Sequence, residues 1–190
     1  MFLGHLGIEY TVQRYESVDC WNATKDSLGL DFPTLPYLID GDVKLSYLIP
    51  ILRYLARKYD HEGSLLEMSE LESNRIALVE QHIFLQSSSS RDASNQVELL
   101  SNELEQLSRF LSEHGHFVAG ERLSYVDFLL YEHLHRIEVE CGDDALLDRY
   151  PNLRHYVDRV EVLPEIYEYL ALINRASPEA VASDSSVGGC

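Results

Sequence analysis

The segment Gly29–Tyr59, GLDFPTLPYLIDGDVKLSYLIPILRYLARKY, constrains the fold more than any other part of the chain. Tyr37 to Ile39 reads as a strand entered through a proline, Asp40-Gly41-Asp42 as a turn, Val43 to Ser46 as a second strand, and the remainder as a helix reaching Tyr59. Asp-Gly between two short apolar runs is a strong hairpin signal, because glycine supplies the positive φ that such a turn requires. In the helix, Leu48, Leu52, Leu55 and Tyr59 recur at helical spacing while Arg53, Arg57 and Lys58 fall on other faces, so one face is expected to be buried. The segment predicts a β-β-α unit. Leu35-Pro36 just before the first strand is either an ordinary trans proline or a cis peptide, since only X-Pro bonds adopt cis at modest cost.

Charge narrows the partners. A formal net charge of -17 in 190 residues repels phosphate backbones, and no basic stripe interrupts the acidity, so nucleic acid is not an expected partner. The start, MFLGHLGIEY, lacks the basic region and apolar length of a signal peptide, and nowhere do 18 apolar residues run together, so neither export nor a membrane is expected. Cys20, Cys141 and Cys190 form no C-x-x-C pairing and fit a reducing, cytoplasmic setting.

Around the β-β-α unit the chain divides into recognisable pieces. Residues 1 to 8 read as the end of a helix with Gly7 as its cap, followed by an alternating strand through Tyr10 to Tyr15. A polar linker, DHEGSLLEMSE, follows Tyr59. Beyond it Ile76, Val79 and Ile83 mark one helix, interrupted at Ser87 to Ser90; Val97, Leu100, Leu104, Leu107 and Leu111 mark a second, closed by Gly115. Ser124 and Asp127, in GERLSYVDFLLYEHL, form an S-x-x-D variant of the capping box before a third helix bearing Val126, Leu130, Leu134, Ile137 and Cys141. Pro151 and Pro164 open two more helices, and the tail from Ser177 is small, polar and expected to be disordered. Domains are therefore expected at 1–60 and 61–176, with a tail at 177–190.

FPTLPYLIDGDVKL, with ILRYLARKY after it, closely resembles the closing half of the thioredoxin-like domain of cytosolic glutathione transferases, the mu class in particular. The G-x-x-L-S-x-V-D-F run resembles the buried N-cap of the core helix in that family's all-helical domain, and the resemblance extends from about Leu3 to Leu170. It implies an α+β chain: a thioredoxin-like domain lacking its first strand, then an all-α helical bundle. In the family that first strand is central, between the Tyr10–Tyr15 strand and the hairpin. With strands about 4.8 Å apart, its loss leaves a gap of roughly 9.6 Å that no hydrogen bond crosses. The sheet must then rearrange, take a strand from another chain, or lose order there.

The resemblance also implies a site. Leu35 before a cis Pro36 would pair its main chain with glutathione, next to Thr34. Trp21 and Lys25, four residues apart, would bind the glycine carboxylate through an indole N–H and an ammonium, although the connection from Tyr15 to Trp21 is several residues shorter than the family's. Tyr47 and Leu48 occupy the positions of the Gln-Ser pair that grips the γ-glutamyl end, and Leu85 that of an aspartate contributed across the dimer. The tyrosine that holds the thiolate belongs to the missing strand, so no catalytic residue is assigned. Glutathione is implied as co-substrate with no other cofactor, apolar electrophiles as second substrates, and a homodimer as the assembly. His133 and His135 are two apart on a predicted helix, and no H-E-x-x-H or paired Cys/His spacing occurs, so no metal is expected. The expected function is detoxifying conjugation, with little or no activity in this chain; a non-catalytic, crystallin-like structural or ligand-binding scaffold or a truncated product of an active enzyme are the alternatives.

Overall fold

The computed structural model describes residues 1–60, 63, 65–66, 69–88, 96–143 and 145–175. Their contacts fall into two compact units, one of Met1–Tyr59 with the chain from Glu165 onward, the other of Asp60–Pro164. The expected tail from Ser177 and the serines at 89 and 90 lie outside the described residues. No described helix is long and apolar enough to cross a membrane.

In the first unit, α1 (Phe2–His5) ends at Gly7, whose φ of 63° is the left-handed geometry foreseen for a glycine after a helix. The Glu9–Tyr15 segment does not form the expected strand. It runs without any backbone hydrogen bond among the described residues, with Tyr10 and Val12 exposed. Alternation supplies a strand with faces but not with a ladder partner, and none of the described residues provides one. Ser17 caps α2 (Val18–Thr24) by accepting from the Cys20 amide at 3.2 Å, and a 3-10 turn, Lys25–Ser27, follows.

The β-β-α unit forms as read. Strands β1 (Tyr37–Asp40) and β2 (Val43–Ser46) pair antiparallel from Tyr37–Ser46 to Asp40–Val43, around a two-residue turn whose Gly41 has φ 62°. These two strands are the whole sheet among the described residues. Helix α3 (Leu48–Tyr59) buries Ile51, Leu52, Leu55 and Ala56. Its last turn reaches back to the hairpin tip: Asp40 Oδ2 accepts from Tyr54 Oη at 3.0 Å, Lys58 Nζ at 2.7 Å and Tyr59 Oη at 2.6 Å.

Hydrogen bonds from Lys58 and then Tyr59 hold the Asp40 carboxyl down at about 2. A carboxyl depressed on folding stabilises the fold above its unfolded value, near 4, and loses that contribution as pH falls toward 2. Asp40→Asn is therefore expected to lower the thermal midpoint of this unit at pH 7. The gap to the unsubstituted chain should close as the melts are repeated down to pH 2.

The second unit is helical: α4 (Glu70–Ser88), α5 (Gln96–His114), α6 (Tyr125–Cys141) and α7 (Pro151–Glu161). The leucine and isoleucine faces read from the sequence are buried on α4, α5 and α6, as are Leu153, Val157 and Val160 on α7. Helix α6 begins with the expected capping box. Asp127 Oδ2 accepts from both the amide and the hydroxyl of Ser124 at 2.7 Å, while Oδ1 accepts from the Val118 amide at 2.9 Å and Tyr156 Oη at 3.1 Å. Gly142, at φ 61°, ends the helix in the left-handed region.

Two further buried polar pairs tie the helices of this unit. Tyr125 Oη donates to Glu80 at 2.7 Å, and His133 Nε2 meets Glu103. Arg136 Nη2 donates to His133 Nδ1 at 2.9 Å, which leaves the imidazole proton on the nitrogen facing Glu103. Helix α8 (Pro164–Arg175), expected in the helical domain, groups from Glu165 with the first unit, where His5 Nδ1 lies 3.4 Å from Glu165.

Candidate functional site

The Leu35–Pro36 bond is cis and leads directly into β1. The Tyr47 amide donates to Pro36 O at 3.1 Å, so the hairpin folds the Tyr47–Leu48 pair back beside the cis bond. Tyr47 sits at φ 69° without being a glycine, a conformation that costs about 1–3 kcal/mol and clusters at binding sites. Leu35, Tyr47 and Leu48 are half exposed, and the Leu35 backbone makes no backbone hydrogen bond among the described residues.

Trp21 joins this cluster through an aromatic contact. Its ring stacks on Tyr37, centroids 5.9 Å apart with 20° between planes, and meets the edge of Tyr15 at 5.1 Å. The short connection from Tyr15 to Trp21 thus still brings the indole next to the residue that follows Pro36. Lys25, one turn further on, makes no side-chain hydrogen bond or ion pair among the described residues, and neither does the Trp21 indole N–H. Residues four apart on helical backbone share a face. Two donors suited to a carboxylate are therefore available side by side.

The hydroxyls beside the cis bond are differently disposed. Tyr37 Oη and Tyr15 Oη are hydrogen-bonded to each other at 2.9 Å, and burial, then the Tyr15 contact, pushes Tyr37 up to about 12. Such a phenol is a weaker, not a stronger, donor to a thiolate. Among the described residues no group of three His, Cys, Asp or Glu side chains forms a metal position.

Comparison with known proteins gives the family. Residues 83–172 match the family model described as glutathione S-transferase, C-terminal domain. A glutathione S-transferase of Dermatophagoides pteronyssinus is 33% identical over 183 residues, covering 90% of this chain and 82% of that protein. The chain belongs to the glutathione transferase family. Within the family, glutathione S-transferase Mu 4 of Mus musculus is 36% identical, with 90% of this chain and 83% of that one covered. The solved structure of the glutathione S-transferase Blo t 8 superposes with a TM-score of 0.71 at 31% identity, over 89% of this chain and 84% of that chain.

In this glutathione transferase family member Leu35–Pro36 is cis as the resemblance implies, and the fold brings Tyr47 and Trp21 to the strand that the cis bond opens. Thr34 is half-buried one residue before Leu35. Two features had no sequence signal that was used: the Tyr15–Trp21–Tyr37 aromatic cluster, whose members share no period, and the left-handed Tyr47. A serine or glutamine expectation at position 47 by analogy gave no hint of that backbone geometry, whereas the tight step from β2 into α3, with a single residue between them, could have.

Proposed function

We propose that this family member binds glutathione by its glycine end and conjugates it to apolar electrophiles only weakly. What supports this most is the Trp21 indole, stacked on the residue that follows the cis Leu35–Pro36 bond, with the Lys25 ammonium one helical turn further along, neither side chain spent on another group among the described residues. Opposing them, Tyr47 and Leu48 offer no charged or amide grip for the γ-glutamyl end, and Tyr37 is a poor partner for a thiolate. Each missing charged hydrogen bond forfeits about 1.5–3 kcal/mol, or roughly one to two decades of affinity.

Calorimetry of glutathione against the 190-residue chain, with Trp21→Ala and Lys25→Ala beside it, tests the reading. Low-millimolar affinity is expected, weakened at least about tenfold by either variant, as befits loss of one charge-assisted contact. No heat of binding from a chain that still melts cooperatively would favour a non-catalytic, crystallin-like scaffold instead.

The working form is proposed to be a cytoplasmic homodimer joined through α4. Leu71, Leu78 and Leu85 recur at seven-residue intervals and are 59%, 63% and 54% exposed, an apolar stripe opposite in role to the buried Ile76, Val79 and Ile83. A stripe repeating every two turns is the pattern of a helix that packs on another helix. Leu78→Asp should shift sedimentation from dimer to monomer at micromolar concentration; a monomer in the unsubstituted chain would refute the assembly.

A further inference from the structure

Helices α4, α5 and α6 bring His82, Glu103, His133 and Arg136 into one cluster with a buried centre. The positions are inward ones by sequence: His82 precedes the buried Ile83, Glu103 precedes Leu104 and His133 precedes Leu134. The side chains of Glu103 and His133 are 1% and 2% exposed, a depth at which a carboxylate needs its charge matched. The match runs through His133. Its Nε2 meets Glu103 and its Nδ1 accepts from Arg136 at 2.9 Å, while Arg136 also donates to Glu140 at 3.2 Å and to Ser87 Oγ at 3.1 Å. His82 is the group left over. Its Nε2 is buried without a hydrogen-bond partner among the described residues, and it stands 3.9 Å from the Glu103 oxygen that His133 uses. That distance is beyond hydrogen-bond reach.

We propose that His82 is an acid-sensitive latch: a proton added from solvent to its ring below neutral pH releases the second half of α4 from α5 and α6. The neutral ring fits its slot at the cost of one unmade hydrogen bond, and the imidazolium does not fit. The groups that face it are Glu103 from α5 and His133, backed by the Arg136 guanidinium, from α6; the α4 residues one turn away, Leu78, Val79, Leu85 and Gln86, are uncharged. Burial is the largest influence on the ring, Glu103 opposes it and His133 adds to it, and the outcome is a His82 held below its ordinary 6.5. An imidazole depressed on folding stabilises the fold above 6.5, and that contribution is lost as pH falls through the folded value. The protonated ring regains water only where the backbone that carries it lifts. Helix α4 ends at Ser88, six residues on, and a helix end in serines opens at less cost than its middle. Acid therefore loosens the helix that bears the exposed Leu71, Leu78 and Leu85. The inference concerns packing inside the helical unit and stands whether or not that apolar face meets a second copy or the first unit binds glutathione.

The test is magnetic resonance of the 190-residue chain, its eight histidine rings assigned through the backbone and titrated. The His82 ring should titrate below 6.5. Amide-exchange protection at Val79–Ile83 should fall severalfold between about pH 7.5 and 5.5, and at most about tenfold, the limit for one proton gained by an imidazole that titrates near 6.5 once exposed. Protection at Ile51–Leu55 of α3, in the other unit, should change by less than about twofold. His82→Gln keeps an N–H for Glu103 but takes up no proton, so its α4 protection should hold to within about twofold across the same range. The loss in the unsubstituted chain should be the same over a roughly twentyfold range of chain concentration. A His82 ring that titrates at or above 6.5, no loss of α4 protection, or an equal loss in His82→Gln would each overturn the inference. So would a loss that grows on dilution, which would place the proton uptake at a contact between copies.

Discussion

Asp127→Ala is expected to destabilise the helical unit by about 3–5 kcal/mol, the range for removing one partner from a buried, charged hydrogen-bond cluster. The carboxylate is fully buried and takes four donors: the Ser124 amide and hydroxyl, the Val118 amide and the Tyr156 phenol. Alanine leaves the two amides without an acceptor at the point where α6 begins, and each buried, unpaired donor costs about 1–3 kcal/mol. Since α6 contributes eleven buried residues, loosening its first turn loosens the centre of the unit. In a unit of this size the thermal midpoint should fall by more than about 10 °C. Asp127→Asn preserves shape but turns an amide nitrogen toward donors, and should recover at most half of the loss. Melts of both variants, followed by circular dichroism, check the order; a loss below about 1 kcal/mol for alanine would mean the box is ornamental. Burial also pushes the Asp127 carboxyl up to about 6, so the folded chain holds a proton between pH 4 and 6 that the unfolded chain releases. Stability from this group therefore falls as pH rises through that window, and Asp127→Asn should lack the slope.

Conjugation of glutathione to an activated aryl halide by the 190-residue chain is expected within about tenfold of the uncatalysed rate at pH 7. The reaction requires a thiolate at neutral pH, and a preorganised donor to a developing or resident anion is worth on the order of 10²–10³ in rate. Two of the phenols near the cis bond, Tyr15 and Tyr37, are spent on each other, and Tyr37 is pushed to about 12, away from the acidity that would favour a thiolate partner. Tyr15→Phe and Tyr37→Phe should therefore leave whatever rate remains unchanged. A turnover hundreds of times above background that drops tenfold in either phenylalanine variant would assign these hydroxyls the catalytic role and sink the reading.

The hairpin and α3 were legible because every signal for them is local: Gly41 in its turn, alternation in β1 and β2, and leucines at helical spacing in α3. The capping box was legible for the same reason, three residues apart. The Tyr10–Tyr15 segment misled because a strand is a property of two chains of backbone, and alternation describes only one. On α4 the sequence carries two apolar rows, Ile76–Val79–Ile83 and Leu71–Leu78–Leu85, and the reading took only the first; burial separates them, periodicity does not. The site was half legible. Trp21 and Lys25 were visible as a spaced pair, but the stacking that brings Trp21 to Tyr37, 16 residues away, depends on how the connection after Tyr15 turns.

Asp40 bears on the order in which the molecule assembles. Its three donors lie 14, 18 and 19 residues ahead in the chain, so the knot closes a single short loop of backbone. Loops of that length close far faster than distant contacts are found, and chains rich in them fold quickly. The hairpin and α3 are thus expected to be complete as soon as Tyr59 leaves the ribosome, while α4 to α7 are still being synthesised. The early piece would expose the edge of β1 throughout that interval.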